Sequence, residues 1–385
     1  MRPTFLIALL FTVSIGRAQT VWYPPYDADL TSWIAQAAPG DILQLAGTHP
    51  NFTLNKGLTL VGPSFIHGGS FPNPSGSYIS VAVPAGQGAR LVGLSLVSAS
   101  TGYSIAPALL FTVGDVSLEA VSVNEGKVTA GPGVVLMQSC TLVGLYGFNG
   151  ALVLQGATCA MTSCVVTGGS NNTQYGGFAG PAVVQSGGLL VASRLTAIGG
   201  AATTPYGPAQ PALWVGSGSA FVSDSSLTGG AGSAPFVGVQ GGNAIQSTGS
   251  VSVARSTLVD GANAIGSSTG YQLAPQLVGM AISAFPSRGQ SFTATATTSG
   301  GQLLGIVGGF DSTMSIVPPI VEPLVGQPQN LVTLALAIPT AGVPVTATVA
   351  VPNQASLFGV GVWLQAIQLA GTEIRASTVV GGTIR

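Results

Sequence analysis

Two stretches of the chain, YGGFAGPAVVQSGG (Tyr175 to Gly188) and YGPAQPALWVGSGS (Tyr206 to Ser219), carry one phrase twice. An aromatic residue comes first, then Gly and Pro, then Ala with apolar residues, then a Ser/Gly break. The phrase recurs beyond these two. The aromatics Tyr146, Tyr175, Tyr206 and Phe236 follow one another at an interval of about 30 residues. The pairs Ala151-Leu152, Ala182-Val183, Ala212-Leu213 and Ala244-Ile245 come after them in the same rhythm. Each is followed by a second short apolar alternation, such as CAMTSCVV (159–166), AFVSDSSL (220–227) or SVARSTLV (252–259). The last apolar anchors, Leu96, Val123, Leu142, Val166, Thr196, Leu227 and Leu258, keep a similar but less even spacing. A repeat in this range signals stacked units that cannot bury an apolar face alone.

The units read as strands. Their apolar runs are short, alternate with a period of two and are rich in Val, Ser and Thr. Glycine, 56 residues of 385, punctuates them too densely for helices. Units stacked about 4.8 Å apart pair their strands in parallel and close a common interior.

The stretch Leu30 to Pro63, LTSWIAQAAPGDILQLAGTHPNFTLNKGLTLVGP, resembles the opening of right-handed parallel β-helix proteins of the pectin-lyase-like superfamily. The resemblance implies a short amphipathic helix covering the N-terminal end, a turn at Pro39-Gly40-Asp41, and then the first strands. Leu30, Ile34 and Ala37 fall on one helical face, as a cap requires. From about Ala274 the strands lengthen (SFTATAT, LVTLALAIP, VPVTATVAVP). Pro352-Asn353, Ser356-Leu357, Gly359, Gln365-Ala366 and Ser377 are similar to a C-terminal β-sandwich module of planctomycete-type secreted bacterial proteins. The expected fold is all-β: a signal peptide over 1–18, a right-handed parallel β-helix over 19–273, and a β-sandwich module over 274–385 that is able to cover the C-terminal end of the helix.

The signal peptide rests on Arg2, the apolar run Phe5 to Ile15 and the small residues Gly16 and Ala18 before Gln19. The apolar run is too short to span a bilayer, so the mature chain is expected to have no transmembrane helix. The expected location is extracellular or at a bacterial cell surface. Only 5% of residues are charged, and Lys56 and Lys127 are the only lysines. A row of phosphates could not be neutralised, so nucleic acid is excluded as a partner.

Hydrolysis of a glycoside needs two carboxyl groups within about 5 to 10 Å, and calcium needs several converging oxygens. Asp115, Glu119, Glu125, Asp224 and Asp260 share no short motif, and Asp224 and Asp260 sit about five positions out of register. Cys159 and Cys164 have no neighbouring His for zinc, because His49 and His67 lie several units away. No metal site and no cofactor are expected, except calcium should the chain be a lyase. Arg194, Asp224 and Arg255, each one repeat from the next, read as a charge ladder with each Arg beside the central Asp. Cys140 and Cys164 occupy equivalent places and are either a disulfide or two stacked thiols, with Cys159 unpaired. Tyr146, Tyr175, Tyr206 and Phe236, with Trp214 nearby, are candidates for contact with sugar rings or for packing upon one another. The expected function is non-enzymatic, with an extracellular polysaccharide or the cell envelope as partner. The alternative is a polysaccharide lyase or glycoside hydrolase with a non-standard site on the aromatic face.

Overall fold

The structure, a computed structural model, describes residues 19–67, 79–84, 86–97, 109–124, 126–145, 150–171, 178–202, 207–232, 240–264, 267–274, 278–298, 300–310, 314–315, 324–325, 331–370 and 373–385. The expected signal peptide lies outside them. The chain is all-β. One large parallel sheet, 23-stranded among the described residues, is followed by separate antiparallel sheets.

The large sheet resolves into three files. Each repeat unit contributes one strand, or half of a long strand, to each file in turn. The unit at 152–167 gives Leu152–Gln155 to the first file, Thr158–Thr162 to the second and Val165–Thr167 to the third. The next unit pairs with it in all three: Leu152 with Val183, Cys159 with Leu190, Val166 with Ala197. The following unit continues the pairing, Val183 with Leu213, Leu190 with Ala220, Ala197 with Leu227. The third-file register corrects one anchor: Ala197, not Thr196, stacks between Val166 and Leu227 and points inward.

The inward residues make one continuous core from Leu30 and Leu43 to Val251 and Val253. Ala151, Ala182, Ala212 and Ala244 form a fully buried column within it. This column explains the alanine of the repeated phrase. The amides continue the column, since Leu152, Val183 and Leu213 donate to the carbonyls of Ala182, Ala212 and Ala244.

The glycines that precede the phrase in each unit have a separate cause. Gly169, Gly200, Gly230 and Gly261 stack where the chain leaves the third file. The segment returning to the first file threads between them: Gly200 N donates to Gly180 O, Gln210 N to Gly200 O, Gly230 N to Gln210 O and Gly242 N to Gly230 O. A β-carbon on Gly230 would stand 2.1 Å from Gly200 O, and one on Gly261 would stand 1.9 Å from Gly230 O. Only a residue without a side chain fits this column.

The corner between second and third files has another repeated device. Ala120, Ser139, Ser163, Arg194, Asp224 and Arg255 all adopt positive φ, between 45° and 54°. A single left-handed residue turns the strand, and its amide continues the ladder upward, as Ser163 N does to Ser193 O. The cost is roughly 1 kcal/mol for each non-glycine residue.

At the N-terminal end, the helix Leu30–Gln36 buries Leu30 and Ile34, with Ala37, among Leu43, Leu45 and Leu54. Asp29 caps it by accepting from Thr31 N at 2.9 Å. The Lys56 ammonium donates to the carbonyls of Ile34, Ala35 and Ala37, placing a cation on the negative end of the helix. Asp41, in the expected turn, accepts from Thr20 N, Trp22 Nε1 and Ala38 N.

The parallel pairing ends at Gln272–Leu273 and the antiparallel sheets begin at Gly279–Ile282. One antiparallel sheet joins Gly279–Ile282, Ser291–Thr297 and Val345–Ala350, and another is built around Leu303–Gly309 and Gly361–Ala370. They share a core that includes Phe292, Leu304, Ile306, Leu364 and Val380.

Placement of this C-terminal part over the end of the stack is not what the structure shows. It lies along the outer side of the second file instead. Phe358 packs on Ile42, Val61 and Val92. Trp363 and Val379 pack on Leu136 and Ala160, and the Arg375 guanidinium sits over Phe221. A polar seam runs through the contact. Thr383 donates from N and Oγ1 to Glu119 at 2.6 and 2.7 Å, Gly381 N donates to Gln138 Oε1 at 2.9 Å, and Thr162 Oγ1 donates to Val379 O at 2.9 Å. Glu119, Gln138 and Thr162 are register partners on successive tiers, so the last strand crosses the tiers as it descends.

Candidate functional site

With the second file covered, the outer faces of the first and third files remain. The outward column of the first file reads Thr53, Ser80, Thr129, Val153, Val184, Trp214 and Gln246, in register tier by tier, with the backbone of Leu110 between Ser80 and Thr129. None of these residues is charged. Trp214 is 40% exposed, with Val184 buried on one side and Gln246 exposed on the other. Ser186 and Ser217 add exposed hydroxyls beside them. At the opposite end of the column, Thr53 lines a cleft with Thr31, Asn51, Asn55 and Lys56 against the helix. Thr53 and Trp214 are six tiers apart, about 29 Å at the spacing of parallel strands. Between them the Thr129 hydroxyl is buried and has no hydrogen-bond partner.

Tyr146, Tyr175, Tyr206 and Phe236 lie outside the described residues, so their expected ladder has no geometry to report. The residues flanking the last three are held tier to tier, Asn171 N to Ala201 O, Ala202 N to Ala231 O and Ala209 N to Gln240 O. Trp214 is the one aromatic of that group within the described residues.

Arg194, Asp224 and Arg255 do stack, at the left-handed corner positions of three successive tiers. The ladder is half of what its spacing suggests. Arg255 grips Asp224 through Nε at 2.7 Å and its second guanidinium nitrogen at 3.0 Å. Both carboxylate oxygens are thereby occupied, and Gly279 stands against one of them. Among the described residues no ion pair reaches the exposed Arg194. The pair is about a quarter exposed and is worth at most about 1 kcal/mol.

Cys140 and Cys164 also stack, but as free thiols, not as a disulfide, and Cys159 is free beside them. Cys140 Sγ donates toward Leu118 O at 3.4 Å, and Cys164 Sγ toward Thr162 O at 3.4 Å. All three lie in the core. Burial, with the neighbouring Cys164 thiol second, pushes the Cys140 thiol well above its usual range. Burial likewise raises Cys159.

The carboxylates have structural partners. Glu119 joins the seam described above and also accepts from Ser117 Oγ. Burial raises Asp260, but hydrogen bonds from Ser268 Oγ, Ala244 N and Ser268 N outweigh it and hold the carboxyl below its ordinary value. Asp115 pairs in register with Gly88 and Val134, and Glu119 with Val92 and Gln138, so neither stacks on a second carboxylate. Glu125 and the side chain of His67 lie outside the described residues. His49 is fully buried, with Nδ1 3.0 Å from Ala28 O. Among the described residues no group of three His, Cys, Asp or Glu could hold a metal ion, and no helix is long and apolar enough to cross a membrane.

Comparison with known proteins finds no matching family model, no matching curated protein and no matching solved structure.

Proposed function

We propose that the three files are the three faces of a right-handed parallel β-helix, capped by the helix Leu30–Gln36 and flanked by a C-terminal β-sandwich. In this reading the chain is secreted after removal of residues 1–18 and acts as a non-enzymatic, extracellular or cell-surface protein that contacts carbohydrate. The contact surface is the outward face of the first file. The observation that carries the reading is Trp214, an exposed indole on an uncharged strand face with an amide and hydroxyls around it. A flat apolar ring flanked by neutral hydrogen-bonding groups suits the face of a sugar ring. Thr129 and Val184 of the same column are buried, so the contact centres on Trp214, Gln246, Ser186 and Ser217.

Affinity electrophoresis of the full chain through gels containing neutral or uronic polysaccharides tests this. Retardation by a polysaccharide is expected, and Trp214→Ala should weaken it at least tenfold, equivalent to about 1.4 kcal/mol. Equal migration of both proteins in every gel contradicts the reading. New reducing ends or unsaturated products on incubation would favour the enzymatic alternative.

A further inference from the structure

The third file presents a different surface. Over five consecutive tiers its strands are Thr141–Val143, Val165–Thr167, Thr196–Ile198, Ser226–Thr228 and Thr257–Val259. Each has one central inward residue and two flanking outward ones. The outward pairs are Thr141/Val143, Val165/Thr167, Thr196/Ile198, Ser226/Thr228 and Thr257/Val259, and all are exposed or half-buried. They stack residue on residue with no register shift. By contrast, the long strands Val183–Ser193 and Leu213–Ser223, which make the first-file pairing and part of the second, do shift register.

The result is a two-column grid. Its rows repeat about every 4.8 Å and its columns stand about 6.6 Å apart, from strand spacing and rise per residue. Four tier steps span about 19 Å. Every grid point is a hydroxyl or a branched aliphatic group, six of the first and four of the second. None is charged and none is aromatic. The six hydroxyl-bearing side chains have no hydrogen-bond partner in the protein among the described residues, so they remain available to a ligand.

This chemistry selects a partner. The grid points carry no charge; beside them, at the preceding corner, stand Arg194 and the Asp224–Arg255 pair, and one unpaired guanidinium gives a polyanion little to hold. A polysaccharide surface is disfavoured by the lack of a ring to stack upon, which the first file has and this face lacks. A neutral lattice of hydrogen-bonding oxygens that repeats in two directions matches the grid's lack of charge and its two-directional order. We infer that the third-file face binds the surface of ice, its hydroxyls hydrogen-bonding to lattice water and its methyl groups seated between the oxygen rows. This goes beyond the carbohydrate reading and uses a separate face.

The test uses the full chain. Wild type, Thr196→Lys, Thr228→Lys and the first-file control Gln246→Lys are each partitioned into a slowly grown ice hemisphere, and the freezing hysteresis is measured. Thr196 and Thr228 point outward, so the variants should keep the wild-type circular dichroism spectrum and melting temperature. Wild type and Gln246→Lys should be enriched in ice and show a hysteresis gap, while both threonine variants should be excluded. Exclusion of wild type to the level of a non-binding protein overturns the inference, as does full retention of both threonine variants. Capture of wild type by crystalline cellulose, lost on Thr196→Lys, with no enrichment in ice, also overturns it. Loss of polysaccharide binding on Trp214→Ala is independent of all these results, so failure of one reading is distinguishable from failure of the other.

Discussion

Substitution of Gly230 by Ala puts the stacking of tiers under direct stress. The added β-carbon would lie 2.1 Å from Gly200 O and 2.6 Å from Gly200 C, both backbone atoms of the tier below. No rotamer change relieves a backbone contact. The tiers must therefore open locally by roughly 1 Å before the carbon reaches a tolerable distance. Three hydrogen bonds bear that opening: Gly230 N to Gln210 O at 2.9 Å, Gln210 N to Gly200 O at 3.0 Å and Gly242 N to Gly230 O at 2.8 Å. Stretched by that amount they pass the geometric limit. At about 0.5 to 1.5 kcal/mol net for each, their loss costs about 2 to 4 kcal/mol. Alanine restricts the unfolded chain and returns about 0.4 to 1 kcal/mol. The net destabilisation is about 1 to 3.5 kcal/mol, a sizeable fraction of the margin of an ordinary domain. Gly216→Ala is the control, because its β-carbon would meet its nearest neighbour at an ordinary 3.6 Å. Urea unfolding followed by circular dichroism should show a clearly lowered midpoint for Gly230→Ala and a midpoint near wild type for Gly216→Ala. A Gly230→Ala midpoint equal to wild type refutes the interlocked column.

Ala120→Gly should stabilise by up to about 1 kcal/mol, because Ala120 has φ 52° and glycine adopts that conformation freely; a lowered melting temperature contradicts this. Glu119→Gln replaces one acceptor by a donor facing Thr383, and the seam should weaken by about 1 to 3 kcal/mol, read as faster proteolysis of the C-terminal part. Asp260 is held below its ordinary value, so its contribution is complete above the unfolded carboxyl range, near pH 4, and is lost as pH falls through the folded value. Asp260→Asn should therefore flatten the fall of melting temperature below about pH 4. All three cysteines should resist Ellman's reagent at pH 8 in the native protein and give three thiols after denaturation without reductant; a count of one would show a disulfide instead.

The repeat announced the parallel files because each buried column imposes its own residue type. Alanine lines one corner, glycine the interlock, and a left-handed residue the second corner. The stacking of Cys140 on Cys164 and of Asp224 on Arg255 followed from spacing alone. The inward and outward assignment at 196 and 197 did not, because TAI offers a small residue at the centre where the other units have Leu or Val. The position of the C-terminal part was less legible, although a signal exists. The second file is apolar on both faces, as in VVLM at 134–137 and LLVA at 189–192, and a strand apolar on both faces is covered on both. The third-file strand SLT alternates cleanly and is open on one side. Glu119 carried no signal at all. Its partner Thr383 lies 264 residues away, and nothing local marks a carboxylate for burial.

Distances between spin labels test the stack most directly. Ser95, Ser122, Thr141, Val165, Thr196, Ser226 and Thr257 form one third-file column. Pulsed electron spin resonance on Ser95→Cys/Thr257→Cys and Thr141→Cys/Thr257→Cys double variants should give backbone separations of about 29 and about 19 Å, in the ratio of six tiers to four. Separations that do not scale with the number of tiers would contradict the stacked architecture.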